Sequence, residues 1–265
     1  MRTVLRYLRL LRIQARAATL LALQYRVDFL VGTVMALFWT ATALVPLAVL
    51  FRSRSGVAGW SWPEALVVVG FFTLLKGVLQ GSMQPSLTSV VEHVRRGTLD
   101  FLLLKPADAQ FMVSTSRFEL ARAADVLGGM ALIAYGVARS GGTVTAGHLA
   151  VSAVMLVSSI AILYSIWILA VSLAFHVVKV DNLAHLISST YDAARWPASV
   201  FRGFLAFLFT FIIPLALMTT YPSLALLGRI TLAEVLASLA AAAAFLLISR
   251  LAWLSSIAKY TSAGG

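Results

Sequence analysis

The sequence lacks cysteine and carries little charge. None of its 265 residues is Cys, which excludes disulfides, thiolate metal ligands and a cysteine nucleophile. Only 12% of the residues are charged, whereas a soluble domain has about 25%. The hydrophobic fraction is 60% and the mean hydropathy is +0.92. A chain of this composition cannot cover a globule with polar surface, so it is an integral membrane protein.

Motifs of common catalytic chemistry are also missing. No G-x-x-x-x-G-K-[S/T] loop is present, so the chain cannot hydrolyse ATP by a P-loop. No G-x-S-x-G nucleophile elbow is present either. The four histidines show no metal-binding spacing. We therefore expect no metal site, no cofactor bound by this chain and no enzymatic activity of its own.

Long apolar stretches dominate the sequence. Each is about long enough for one membrane-spanning helix, which needs about 20 mainly apolar residues. Irregular backbone cannot face lipid, so a helical bundle is the architecture that this pattern supports. The sequence predicts an all-α integral membrane protein with one domain over 1–265 and six transmembrane helices. The predicted spans are about 27–51, 65–88, 118–138, 148–175, 203–220 and 231–250.

The fifth of these spans has an alternative. Residues 181–202 are polar, and Pro214 and Pro222 interrupt the apolar run that follows. Either Gly203–Thr220 crosses once, or a polar helix crosses earlier and Phe204–Leu227 enters the membrane and returns. Hydropathy favours the first reading.

Lysine and arginine are distributed unevenly between the predicted loops. With the N-terminus inside, 16 of them, Arg195 and Arg202 included, fall on cytoplasmic segments and 4 fall outside, with Lys76 within the membrane. Cytoplasmic loops carry an excess of basic residues. We therefore expect both termini in the cytoplasm. The formal net charge of +11 is then a topology signal and implies no nucleic-acid partner.

Residues 2–24 are predicted to form an interfacial helix. Five arginines gather within an arc of about 120° at 100° per residue, with apolar residues opposite. Such a helix lies on the membrane with its basic face toward anionic headgroups. A transit peptide is the alternative, and the apolar span that follows closely argues against it. The arginines are Arg2, Arg6, Arg9, Arg12 and Arg16.

The second predicted span carries one polar stripe. A lysine at mid-membrane costs about 2.5–3.5 kcal/mol, so the stripe should face protein or a wet cavity. Two readings stay open. The stripe lines a translocation path or a subunit interface, or it is structural, with Lys76 bonded to carbonyls or to an acid such as Glu64. Its members are Thr73, Lys76, Gly77, Gln80 and Gln84.

Two further charge patterns concern the loop between spans two and three. At its end, Glu119, Arg122 and Asp125 have the spacing of helix-surface ion pairs, and we expect them to anchor the third span at exposed positions. At its start, charges lead into a glycine, a short amphipathic run and a proline. We expect this segment, 92–115, to dock on another protein, with an ordinary solvated loop as the alternative. The residues proposed for contact are Glu92, Arg95, Arg96, Gly97, Leu99, Asp100, Leu103 and Pro106.

The run from Arg95 to Pro106 resembles the R-x-G-x-L-D-x-x-L-L-x-P signature of the ABC-2 family of ABC-transporter permeases. The closest likeness is to a daunorubicin-resistance-like branch of single-subunit permeases of about 260 residues. The resemblance extends to the surface helix, the six spans and the late prolines, and so covers nearly the whole chain.

This resemblance implies a function and partners. It implies a bacterial plasma-membrane permease subunit that pairs with itself or a related permease. It also implies coupling, through 92–115, to two cytoplasmic subunits that bind ATP and Mg²⁺. Known members are linked to export of drugs, antibiotics or lipids. The alternatives are a membrane-embedded enzyme acting on lipid or peptide, and a channel; neither the convergent acids of the one nor the filter segment of the other is evident.

Overall fold

The computed structural model describes residues 2–52, 56–175, 191–200, 203, 214 and 216–260. These residues are almost entirely helical and include no strand longer than one bridge, between Val57 and Trp60. The α-helices are α1 (Arg2–Gln24), α2 (Arg26–Arg52), α3 (Trp62–Val78), α4 (Gln84–Arg95), α5 (Asp100–Leu103), α6 (Ala109–Ser114), α7 (Ala123–Ser140), α8 (Ala146–Ala174), α9 (Tyr221–Leu226) and α10 (Leu232–Ala258).

Five helical stretches in the described part are long and apolar enough to cross a membrane. The second of them joins α3 to α4 through a π-helical stretch, Leu79–Met83, without a break. The prediction of an all-α membrane protein is confirmed. The stretches are Arg26–Arg52, Trp62–Val94, Leu120–Ser140, Ala146–Leu173 and Leu232–Ala258.

The bundle has two ends, which we call upper and lower. The upper end carries the turn before α3, with Val57–Trp60, and the starts of α3, α8 and α10. There Ser61, Thr145 and Thr231 each begin a helix and pair with the side chain three residues later. Such reciprocal caps satisfy backbone groups that would otherwise be left unpaired. The lower end carries residues 96–108 together with α1 and the end of α10.

The predicted single crossing at 203–220 falls largely on residues outside the described part and stays a prediction, whereas both described flanks of that region lie at the upper end. Ser199 Oγ donates to the carbonyl of Ala58, at 3.1 Å, and accepts from Trp60 Nε1, at 3.2 Å. Thirty residues later, Arg229 Nη2 donates to the neighbouring carbonyl of Gly59, at 3.3 Å. Residues 204–213 themselves lie outside the described part.

The described residues after Pro214 show how the chain returns. Leu217 accepts from Ser159 Oγ, about 20 Å below the start of α8 at 1.5 Å per residue. Pro222 accepts from Ser152 Oγ, only about 9 Å below that start. The chain therefore climbs from mid-bundle to the upper end over 217–228. An apolar segment that enters and returns has the same composition as one that crosses, so hydropathy does not separate the two readings.

The described residues before and after 176–190 lie at opposite ends of the bundle. Helix α8 ends at the lower end with Ala174, and Ser199 lies at the upper end. Arg195, expected on the cytoplasmic side, sits instead in the upper half of the bundle, with its guanidinium 5.6 Å from the ring of Phe72. Of the polar stretch 181–202, on which the alternative reading turned, residues 181–190 lie outside the described part.

Glycines set the closest helix pair, α3 against α7. A Cβ at Gly70 would lie 2.9 Å from the carbonyl oxygen of Gly129, and one at Gly136 would lie 2.6 Å from that of Pro63. Small residues let transmembrane helices approach this closely, which drives their association by packing. Helices α8 and α10 form the other large pair, joined by hydrogen bonds between serines such as Ser158 and Ser238, at 3.1 Å.

Candidate functional site

The 92–115 segment turns back on itself directly below α4. Gly97 has φ = 64°, a left-handed conformation that glycine adopts at no steric cost. Next to it, His93 Nδ1 and Thr98 Oγ1 are 2.8 Å apart, and the amide of Thr98 donates to the carbonyl of His93. The reversal carries Leu99 into the main hydrophobic core, where it is completely buried.

The structure separates the residues expected to dock on a partner. Glu92 and Arg96 are exposed, and Asp100 is half-buried at the start of α5. Leu103 packs against the core, as Leu99 does, so both leucines hold the segment in place. The other members are Pro106, which is exposed and accepts a hydrogen bond from Arg6, Gly97 at the turn, and Arg95, whose side chain lies outside the described part.

Two apolar side chains of the amphipathic run, which were not among the residues proposed for contact, project from this segment. Phe101 is 71% exposed and Leu104 is 81% exposed, and they flank the buried side of α5. They make this part of the segment a candidate interaction surface. Helical spacing alone could not have found them, because the orientation of a four-residue helix is set by Gly97 and Leu99.

The end of the segment is fixed to the bundle through Asp108. Arg250 of α10 donates to both carboxylate oxygens of Asp108, at 2.6 and 3.2 Å, and to Gln110 Oε1, at 2.7 Å. Asp108 also caps α6 by accepting from the amide of Phe111, at 3.0 Å. Desolvation raises the pKa of Asp108, but the hydrogen bonds from Arg250 and Phe111 outweigh it and lower the pKa below its usual value. The carboxyl group is therefore ionised at neutral pH.

Further contacts join this cluster to two more helices. Gln110 Nε2 donates to Tyr164 Oη of α8, at 3.0 Å, and Ser114 Oγ lies 2.8 Å from the same hydroxyl. The amide of Asp108 donates to Tyr7 Oη of α1, at 3.1 Å. Nothing in the sequence singled out Asp108 except its residue type, which is favoured at helix N-caps.

The polar stripe of α3 and α4 serves two purposes along its length. Thr73 is buried and bonds to the carbonyl of Val69, and Gly77 lies directly against α7, where a Cβ would be 2.8 Å from the amide nitrogen of Val126. Lys76 is partly buried. Lower down, Gln80 and Gln84 line a cleft of about 860 Å³ between α1, α2, α4 and residues 116–122. The upper part of the stripe is thus a helix contact, and the lower part lines a cavity.

Lys76 has a different acidic neighbour from the one considered. Glu64 lies at the upper end and pairs with Arg229, at 3.1 Å, so it is not the partner of Lys76. The acidic group with the largest electrostatic effect on Lys76 is Asp125 of α7.

The expectation that Asp125 is exposed is wrong. It is 1% exposed, accepts a hydrogen bond from Thr40 Oγ1 at 3.1 Å, and lies 3.6 Å from Arg122. A spacing rule for one helix could not see this, because the residues that bury Asp125 belong to α2 and α3.

Helix α1 has the bounds predicted for the interfacial helix, 2–24. The side chain of Arg2 lies outside the described part, whereas Arg6, Arg9, Arg12 and Arg16 are exposed. The apolar residues on other faces, among them Leu5 and Leu8, are exposed as well. A helix with both a basic and an apolar surface uncovered suits the membrane interface.

The comparisons with known proteins agree with this architecture. The family model described as ABC-2 family transporter protein matches residues 37–264. Neither the curated proteins nor the solved structures gave a match to the chain. The matched range covers four of the five spanning stretches completely and the first from residue 37 onward. It also includes the whole 92–115 segment. The chain therefore belongs to the ABC-2 family of transporter membrane proteins.

Proposed function

We propose that this permease subunit exports a hydrophobic or amphiphilic small molecule and is driven by ATP-binding subunits that dock on the 92–115 segment. Family membership makes the chain a membrane subunit of an ABC transporter, whose partners in general are ATP-binding subunits. ATP and Mg²⁺ would be held by those partners. A second permease, identical or related, would complete the pathway.

The observation that carries the coupling proposal is the exposed pair Phe101 and Leu104. Both side chains face away from a segment whose remaining leucines are packed into the core. Apolar anchors of this kind fill pockets on a partner and supply most of the binding energy of an interface. A solvated loop, the competing reading, explains the charged residues of the segment but not these two apolar groups.

Orientation follows from the charges at the two ends. The lower end carries the arginines of α1 and the 92–115 segment, and the last helix also ends there. When Arg195 is counted with the upper half instead of the lower end, the basic residues are still concentrated at the lower end. We therefore place the lower end, with both termini, in the cytoplasm of a bacterial inner membrane.

The substrate class is supported by the cleft beside α1. It has a volume of about 860 Å³, within the usual range of small-molecule pockets. Amide and carboxylate groups, including Gln80, Gln84 and Glu92, share its wall with apolar side chains such as Phe29 and Leu21. A wall of this kind suits a molecule with one polar and one apolar part.

Replacing both exposed anchors tests the coupling proposal. We expect Phe101→Asp with Leu104→Asp to reduce recovery of the co-expressed ATP-binding subunit at least tenfold, because two charges would face an apolar pocket. Membrane insertion should be unchanged, since neither side chain is packed. The measurement is affinity purification of the tagged permease in mild detergent, followed by quantification of the ATP-binding subunit and of ATP hydrolysis.

Two controls separate docking from general damage. Phe101→Leu with Leu104→Met keeps the surface apolar and should retain the partner. Leu232→Asp places the same charge on a leucine that is 73% exposed at the opposite end, and it should also retain the partner. Full recovery with the double aspartate variant would refute docking on this surface.

A further inference from the structure

The 92–115 segment is connected to the last membrane helix, α10, by side-chain contacts rather than by the backbone. Helix α4 continues into α3 and so moves with the segment. Helix α10 lies more than a hundred residues away in the sequence, and its directed polar contact with the segment is made by Arg250. Whatever displaces the segment can act on α10 through this contact.

We propose that Asp108, Gln110 and Arg250 form a positioning clamp that transmits movement of the docked segment to α10 and, through Tyr164, to α8. This inference rests on the proposed coupling to an ATP-binding subunit. Two parallel bonds from a planar guanidinium to a carboxylate fix orientation as well as distance. Asp108 is held at the same time by α6, whose first turn it caps. A rotation of α6 is therefore passed to Arg250 as a directed pull.

The exposure of the clamp distinguishes transmission from simple stabilisation. The side chain of Arg250 is 41% exposed and that of Asp108 is 35% exposed. Ion pairs this accessible contribute little to folding stability, because water and salt screen them. Removing one charge should therefore leave the protein folded and inserted, so a loss of transmission can be measured by itself.

Substitutions can separate three contributions: the charge of the ion pair, the N-cap of α6 and the two-bond geometry of the guanidinium. Asp108→Asn removes the ion pair but keeps a good N-cap for α6. Arg250→Lys keeps the charge but cannot donate two parallel bonds. Asp192→Asn is the control, because it breaks an ion pair of similar exposure, to Arg195, at 3.1 Å and outside the segment.

Movement can be measured directly because the chain has no cysteine to remove. Spin labels are attached at Arg139→Cys and Leu232→Cys, exposed positions at the upper ends of α7 and α10. Their distance is measured by pulsed electron paramagnetic resonance in the reconstituted complex with its ATP-binding subunit, with and without ATP and vanadate. A second label pair, at Lys105→Cys and Lys259→Cys, reports the lower end.

The parent complex should show a nucleotide-dependent change in the distance between positions 139 and 232. Asp108→Asn and Arg250→Lys should reduce the amplitude of that change at least twofold, while recovery of the ATP-binding subunit and its ATP hydrolysis remain within twofold of the parent. Asp192→Asn should leave the amplitude unchanged. An unchanged amplitude in both clamp variants would overturn the clamp and leave docking intact. A parent that neither binds the subunit nor responds to ATP would overturn the proposed function, and the clamp with it.

Discussion

Alanine at Gly129 is expected to destabilise the protein, whereas alanine at its neighbour Gly128 is expected to stabilise it slightly. A Cβ at Gly129 would lie 2.5 Å from the amide nitrogen of Leu74 and 2.6 Å from the carbonyl oxygen of Gly70. Both are backbone atoms of α3 and cannot turn aside, so the two helices must separate. A Cβ at Gly128 meets nothing within 4 Å.

At these two adjacent positions alanine is expected to change the free energy of unfolding in opposite directions. Replacing glycine by alanine within a helix gains about 0.5–1 kcal/mol from the reduced freedom of the unfolded chain. That gain should appear in full for Gly128→Ala. For Gly129→Ala it is outweighed by overpacking, which costs about 1–3 kcal/mol. Leucine should widen the difference, since Gly129→Leu inserts three more carbons into the same contact.

The measurement is the free energy of unfolding of the purified permease in mixed micelles, titrated with sodium dodecyl sulfate and followed by circular dichroism. Gly141→Ala is not a suitable control because its φ of 72° strains any side chain. If Gly129→Ala proved as stable as Gly128→Ala, the close approach of α3 and α7 would be incorrect.

Local sequence patterns were sufficient to predict features that depend on a single helix. The arginines of α1 recur with the helical period, and the helix runs from Arg2 to Gln24 as predicted. Gly77 belongs to the stripe that was expected to face protein or a wet cavity, and α7 lies against it. In these cases the signal and the structural feature share one helix, so spacing carries the information.

Features that depend on contacts between distant segments could not be predicted in this way. The segment Asp100–Leu104 contains three leucines and a phenylalanine, and only the reversal at Gly97 decides which of them are buried. The partner of Asp108 is 142 residues away. The return of the chain at 217–228 is revealed by Ser152 and Ser159 on α8, which hydropathy does not consider.

Asp125 is the clearest of these cases, and its substitution is the second change expected to have a large effect on stability. Its carboxylate is buried between α2, α3 and α7, with Arg122 at 3.6 Å and Lys76 as a further positive neighbour. We expect Asp125→Asn to lower the free energy of unfolding by about 1–3 kcal/mol, because the buried carboxylate loses its charged contacts to the partly exposed Arg122 and to Lys76 while the site stays out of water. Asparagine keeps the size of the side chain and can still accept from Thr40, so the loss reports the charge.

Removing Lys76 in the same protein should restore part of this stability. With Lys76→Met added to Asp125→Asn, one uncompensated cation is gone, and the double variant should be more stable than Asp125→Asn by about 0.5–3 kcal/mol, the usual size of coupling between neighbouring residues. Asp28→Asn, at an exposed acid of α2, should change stability by no more than about 0.5 kcal/mol. Lys76→Met alone completes the cycle, and all five proteins, the parent included, are compared by the same detergent titration. Strict additivity of the two substitutions would mean that Lys76 and Asp125 are independent, and Lys76 would then be free to act in the translocation path without disturbing the helix contact beside it.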